Sequence, residues 1–192
     1  MTERFKELME GGLDDLNLSL NSGQLEQFYD YYELLIEWNK VMNLTAITEL
    51  DEVVTKHFID SLSLIKSVDD LGEKDRTVID IGTGAGFPGI PLKIAYPGLK
   101  ITLLDSLNKR IKYLNEVIDK LGLKEISTIH GRAEDYGRDP LYREKYDLCV
   151  SRAVANISTL SEYCLPFVKI KKIEPISKKY PRKAGLPSKE PL

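Results

Sequence analysis

The chain has 192 residues, 42% hydrophobic and 30% charged, enough for one substantial domain with a small appendage. No apolar run approaches the ~18–20 residues of a membrane span, and "MTERFKELMEGG" mixes charges into its apolar residues, so it is not a secretory signal. The net charge of −3 divides into −9 over residues 1–168 and +6 over 169–192, which suggests either a polyanionic partner held by the tail or a solvated end.

From Gln24 to Asn39, apolar residues recur at Leu25, Phe28, Tyr32, Leu35 and Ile36, the spacing of a helix with one buried stripe. Asn21 followed by Gln24 predicts a capping box at its start. A second helical stretch is expected over 51–68, broken near His57. Residues 1–70 carry no strand signal and read as a helical cap on the rest of the chain.

From residue 77 the rhythm changes. Short β-branched or apolar runs occupy 77–81 (TVIDI), 100–105 (KITLLD), 126–130 (ISTIH) and 146–150 (YDLCV). Between the second and third, Ile111, Leu114, Val117, Ile118 and Leu121 fall on one helical face, and Gly122 closes it. Strands alternating with helices predict an α/β, Rossmann-like doubly wound parallel sheet. That core is expected over 71–173, with a basic tail over 174–192. Cys149 and Cys164 lack any metal-ligand spacing and read as reduced core cysteines, so no metal site is indicated.

The chemistry concentrates in "VIDIGTGAGFPGIP", residues 78–91. GAGFPG (84–89) fits the dinucleotide fingerprint, and Asp105 stands where a carboxylate would take an adenosine ribose. NAD and S-adenosylmethionine share that ribose, so these features do not separate them. Asp80 does: a carboxylate two residues before Gly82, with no Lys or Arg over 77–92, repels a pyrophosphate and attracts a sulfonium and an ammonium. The loop is thus expected to seat S-adenosylmethionine through Asp80, Gly82 and Gly84. After the third strand, Ala133 and Glu134 can frame an adenine. After the fourth, Ser151 and Arg152 should face Gly82 in sheet order 3-2-1-4-5. Arg152 can there read the O6 and N7 acceptors of guanine, or instead bind a carboxylate and so fix the strand end.

These segments resemble the RsmG (GidB) family of bacterial 16S rRNA guanine-N7 methyltransferases. The likeness rests on "WNKVMNLTAI" (38–47), "KHFIDSL" (56–62), "DIGTGAGFPGIPL" (80–92), "GRAED" (131–135), "SRAVA" (151–155) and "YPRKAGLPSKEPL" (180–192), in family order. It implies a cytoplasmic, monomeric class-I methyltransferase acting on 16S rRNA of the small ribosomal subunit. It also implies S-adenosylmethionine contacts from Gly82, Phe87, Ala133, Glu134 and Arg152, and from Asp105 by the general class pattern. Asn43, Thr45 and His57 lie in shared motifs on the cap side of the crevice, without an assigned role. A histidine at a helix end satisfied by Asp60 is the structural alternative for His57, and His130 reads as a strand-end residue. Lys178, Lys179, Arg182 and Lys183 are expected to meet RNA phosphates, and prolines 181, 187 and 191 keep that tail extended.

In one respect the chain departs from the family. After Lys169 the family continues with a further strand, a helix and a hairpin, whereas here "IKKIEPISKKYPRK" comes directly. By the resemblance about 45 residues are absent, either because the protein is truncated there or because the sequence has a break; a break near Lys169–Ile170 is expected. Three alternatives remain beside the main reading: another RNA or protein acceptor, a noncatalytic S-adenosylmethionine- or ribosome-binding factor, and an NAD dehydrogenase.

Overall fold

The computed structural model describes residues 1–68, 70–72 and 75–169. The break expected at Lys169–Ile170 and the basic tail lie outside the described residues.

Three of the four strands form where the β-branched runs predict them: β1 (Thr77–Ile81), β2 (Lys100–Asp105) and β3 (Ile126–His130). The sheet is parallel in the order β3-β2-β1-β4, which puts the fourth strand beside the first. β4 is shorter than expected, Leu148–Val150. Of the two residues before it, Asp147 is still tied to β1, its N–H donating to Thr77 O, and Tyr146 pairs with another segment. Asp147 accepts from the backbone N–H and the hydroxyl of Thr77 (2.9 and 2.7 Å), and Tyr146 bridges in parallel to Val168.

The helices follow their apolar spacing. In α1 (Glu3–Asp15), Phe5, Met9 and Leu13 are buried, and Thr2 Oγ1 caps the start by accepting the Phe5 N–H. α2 (Ser22–Met42) opens with the predicted Asn21–Gln24 capping box. Its buried residues are Leu25, Phe28, Tyr31 and Leu35; Tyr31 takes the core position expected of Tyr32, which is only half-buried.

Residues 50–66 are helical throughout. α3 (Leu50–Val53) runs into a π-helical segment (Val54–Ile59), then α4 (Asp60–Leu62) and a 3₁₀ turn (Ser63–Lys66). The break expected near His57 is therefore a widening of the helix, not an interruption. Among the described residues, no helix is long and apolar enough to cross a membrane.

Cap and core are joined by packing and by hydrogen bonds. One cluster of buried side chains runs from Phe5 and Phe28 in the cap through Phe58 to Val78, Leu103 and Leu114 around the sheet. Gln24 donates to the carbonyls of Ile94 and Ala95, the last turn of α5 (Gly89–Ala95). Gln27 donates to Leu121 O at the end of α6 (Asn108–Lys120). Helix C-termini leave carbonyls without partners, so α2 closes two of them at once. The boundary expected at residue 70 divides kinds of element, but the cap and the sheet share one apolar core. A second cluster, including Ile79, Ile81, Leu104, Tyr146 and Phe167, fills the opposite face of the sheet.

Candidate active site

β1 ends at the loop that binds the site together. Gly82 turns there with φ 66°, a conformation open to glycine at little cost, and its N–H donates to Leu104 O. Gly89 matters for space: a Cβ there would lie 2.3 Å from Leu103 Cδ2 and 2.9 Å from Asp80 Oδ2. Tyr31 reaches in from α2 and donates its hydroxyl to Ala85 O at 2.5 Å. The cap thus holds the glycine loop directly.

Asp80 is not where the sequence argument put it. Its side chain is fully buried beneath the loop, and Oδ2 accepts from Thr83 Oγ1 (2.6 Å) and the Gly89 N–H (3.0 Å). Oδ1 is buried and has no hydrogen-bond partner among the described residues. Burial pushes this carboxyl up to about 7, against the pull of its two donors. Asp80 shapes the loop from below and does not line the crevice; any influence on a bound cation acts through the loop.

Above the loop lie two lobes of about 340 and 370 Å³ that share Gly82, Ser106 and Val154. The first is walled by Ala133 and Glu134 of α7 (Ala133–Tyr136), together with Gly131 and Tyr163. The second is walled by Gly84, Phe87, Asp105 and Arg152 from the core and by Thr45 and His57 from the cap. Seven of the eight residues expected to hold the cofactor therefore come together, Asp80 being the exception. Asp105 is 1% exposed and accepts from the Gly84 and Leu107 N–H groups and from Arg110.

The two lobes, joined at Gly82, are together large enough for a ligand the size of S-adenosylmethionine. A Cβ on Gly84 would meet only Gly82 O, at 3.9 Å, so the backbone there is open to a ligand's close approach. Together the lobes fall in the range of small-molecule sites.

Arg152 sits at the cap end of the second lobe. Nη1 donates to Asp60 Oδ2 (2.7 Å) and Lys56 O (3.0 Å), Nη2 donates to His57 Nδ1 (3.0 Å), and the guanidinium lies 5.0 Å from the centre of the Phe87 ring. Arg152 does bind a carboxylate, Asp60 of the cap, and this ties the segment after β4 to the cap. His57 stacks on the same ring (4.5 Å, 17°) and pairs through Nε2 with Thr45 Oγ1 at 2.9 Å. Burial and the adjacent Arg152 charge lower His57 to about 4, so it is neutral at ordinary pH. Its partners are Arg152 and Thr45, not Asp60.

The π turn brings the Lys56 carbonyl, the His57 ring and Asp60 onto one cation, and such turns are frequent at functional sites. Asn43 is exposed at the αL C-cap of α2, outside both lobes, and sets the turn that brings Leu44 and Thr45 to the wall. Ser151 donates to Ile81 O, securing the end of β1, and His130 closes β3 against Ser106 O. Asp60, Tyr31 and Val154 were not singled out as site residues. All three had some signal: Asp60 and Val154 lie in the shared motifs KHFIDSL and SRAVA, and Tyr31 stands at a helical interval from Phe28.

This parallel strand order, with a glycine loop after β1 and an acid ending β2, is the Rossmann-like core of class-I methyltransferases, the class that uses S-adenosylmethionine. Dinucleotide enzymes share these features, and the likeness to known proteins separates the two. Residues 24–177 match the family described as GidB, rRNA small subunit methyltransferase G, and the chain belongs to that family. It is 63% identical over 158 residues to ribosomal RNA small subunit methyltransferase G of Lachnoclostridium phytofermentans, covering 82% of this chain and 64% of the relative. This match thus spans less than two thirds of the relative's length.

The protein of the same name from Alkaliphilus oremlandii is 43% identical over 237 residues, covering 97% of this chain and 98% of the relative. Because this chain has 192 residues, at least 45 of those positions face none of its own. A solved structure from Methanococcus maripaludis, described as an S-adenosyl-L-methionine-dependent methyltransferase, shares the fold. It is 22% identical, with a TM-score of 0.50, and the match covers 72% of this chain and 57% of that one.

Proposed function

We propose that this chain methylates N7 of a guanine in 16S rRNA of the small ribosomal subunit, using S-adenosylmethionine. The observation that carries the reading is the crevice of a family member: a glycine-lined cofactor groove that ends at a paired arginine. Gly82 and Gly84 would hold the cofactor along the loop, Asp105 its ribose, and Ala133 and Glu134 its adenine, with Phe87 and Arg152 at the methyl end. Bound there, S-adenosylmethionine supplies an electrophilic methyl carbon that a ring nitrogen can take while sulfur keeps the bonding pair.

N7 of guanine has a lone pair and no proton. The reaction therefore asks for alignment and a dry site more than for a base. His57, the imidazole at the site, has both ring nitrogens engaged, which suits it to holding a neighbour rather than to taking a proton. Arg152 would direct donors at guanine O6. Asp60 offsets its charge at 2.7 Å, which reduces the repulsion a guanidinium would otherwise exert on a sulfonium.

Lys178, Lys179, Arg182 and Lys183 would bind RNA phosphates, with the protein acting as a cytoplasmic monomer. A loop or bulge is the expected target, because A-form helices bury N7 in a narrow groove.

The test is transfer of a tritiated methyl group to undermethylated small subunits, followed by mapping of 7-methylguanine. Label on any other atom, or none in 16S rRNA, refutes the proposal. Arg152→Ala should lower transfer by about 100-fold or more, far more than the loss of its bonds to Asp60, Lys56 and His57 lowers stability; unchanged turnover would remove Arg152 from the chemistry.

A further inference from the structure

The hydrogen bonds around Arg152 have a polarity that can be traced atom by atom. A guanidinium only donates, so His57 Nδ1, 3.0 Å from Nη2, must accept. The neutral ring then carries its proton on Nε2 and donates it to Thr45 Oγ1 at 2.9 Å. Thr45 Oγ1 accepts a second hydrogen bond, from the Ile47 N–H at 3.1 Å. Both hydroxyl lone pairs are then in use, and what the hydroxyl has left is its hydrogen.

Arg152 has five N–H donors and spends three of them, on Lys56 O, Asp60 and His57. Thr45 and Arg152 both line the second lobe, beside Phe87 and Gly84.

We propose that Thr45 and His57 are positioning residues that make this wall of the lobe a donor-only surface, and so fix the reacting base as a purine with a carbonyl at position 6. The inference rests on the methyltransferase reading above and extends it to the choice of base. Guanine offers an O6 acceptor next to N7. Adenine offers an amino group there, whose hydrogens would meet the hydrogens of the wall. An unpaired donor in a closed site is costly, and this makes recognition by rejection effective. The Asn39 side chain, which accepts the Thr45 N–H at 3.0 Å, and the ring stack of His57 on Phe87 keep the chain of bonds in register.

The experiment uses the full chain with Thr45→Val, Thr45→Ser and His57→Ala. Single-turnover methyl transfer to undermethylated subunits is read at saturating cofactor, with cofactor affinity measured separately by calorimetry. Thr45→Val and His57→Ala should each slow transfer by about tenfold or more while cofactor affinity stays within about threefold, and Thr45→Ser should recover most of the rate. Wild-type speed in Thr45→Val, or a Thr45→Ser variant as slow as Thr45→Val, overturns the proposal.

A second readout depends neither on activity nor on the folding of the Thr45 and His57 variants. The chain has two histidines, so a ¹⁵N-histidine spectrum is assigned with His130→Asn as the reference. At neutral pH the His57 proton should be on Nε2. A proton on Nδ1 would reverse the chain of bonds and overturn the proposal whatever the substrate. Failure of the wild-type protein to methylate subunits would instead overturn the methyltransferase reading, while the tautomer would still decide the polarity of the wall.

Discussion

Replacing Asp80 with asparagine should stabilise the protein at pH 8 and do the reverse at pH 5. In the fold this carboxyl is fully buried and raised to about 7, whereas an exposed aspartate titrates near ~3.9. Between those values the folded chain keeps a proton that the unfolded chain has lost, so this group favours folding at low pH and opposes it as pH rises through 7. At ~1.36 kcal/mol per pH unit, the gap is worth about 4 kcal/mol against the charged form.

Asparagine is neutral throughout. Its oxygen can still accept from Thr83 and Gly89, while its amide hydrogens enter the place of the unpartnered Oδ1 at a cost of about 1–3 kcal/mol. The balance predicts about 1–3 kcal/mol of stabilisation at pH 8, falling by about 3–4 kcal/mol toward pH 4 and so changing sign. Urea unfolding of both proteins at pH 4.5, 6 and 8 measures the difference. A difference flat across that range would mean that Asp80 titrates normally, and the account of a buried loop carboxyl would be wrong.

His57 works in the opposite sense. The unfolded imidazole takes a proton near ~6.5 that the fold refuses until about pH 4, so stability present above 6.5 is lost in that window, by at most about 3 kcal/mol. His57→Gln, compared with its parent by the same unfolding series, should remove that acid slope; an unchanged slope would mean that the ring is accessible. Tyr31→Phe deletes the hydroxyl that holds Ala85 O, and should cost about 1–2 kcal/mol and weaken cofactor binding several-fold by calorimetry. Gly89→Ala drives a methyl group against Leu103 and Asp80, and a loss of about 1–3 kcal/mol is expected by calorimetric melting. Full stability in that variant would show that α5 shifts freely.

The sheet was largely legible in the sequence because β1, β2 and β3 are short β-branched runs with sharp ends. β4 was legible only in part: Asp147 still bonds to Thr77 of the neighbouring β1 through its N–H and its carboxylate, but the strand itself begins only at Leu148. The glycine loop was legible as a turn opening on a crevice, yet the position of Asp80 was not. Spacing fixes where an acid lies along a strand, while burial depends on what packs over it, and here that is Gly89 and Leu103.

Tyr31 could have been found. It stands three residues after Phe28 and four before Leu35, as good a helical interval as the one that favoured Tyr32. The partners of His57 could not. Arg152 is 95 residues away, and local spacing offered Asp60 instead.

The π turn at residues 54–59 bears on how this part of the chain can vary in length. Successive α-helical residues are turned by about 100°. Removing one residue here would restore the ordinary period but rotate everything before it relative to everything after. Asp51 would swing away from Arg4, or else Asp60 would swing away from Arg152. Elsewhere on a protein surface a single insertion or deletion is absorbed by a loop. Here the extra residue works like a tooth in a gear, and its number is as constrained as the register of a buried strand.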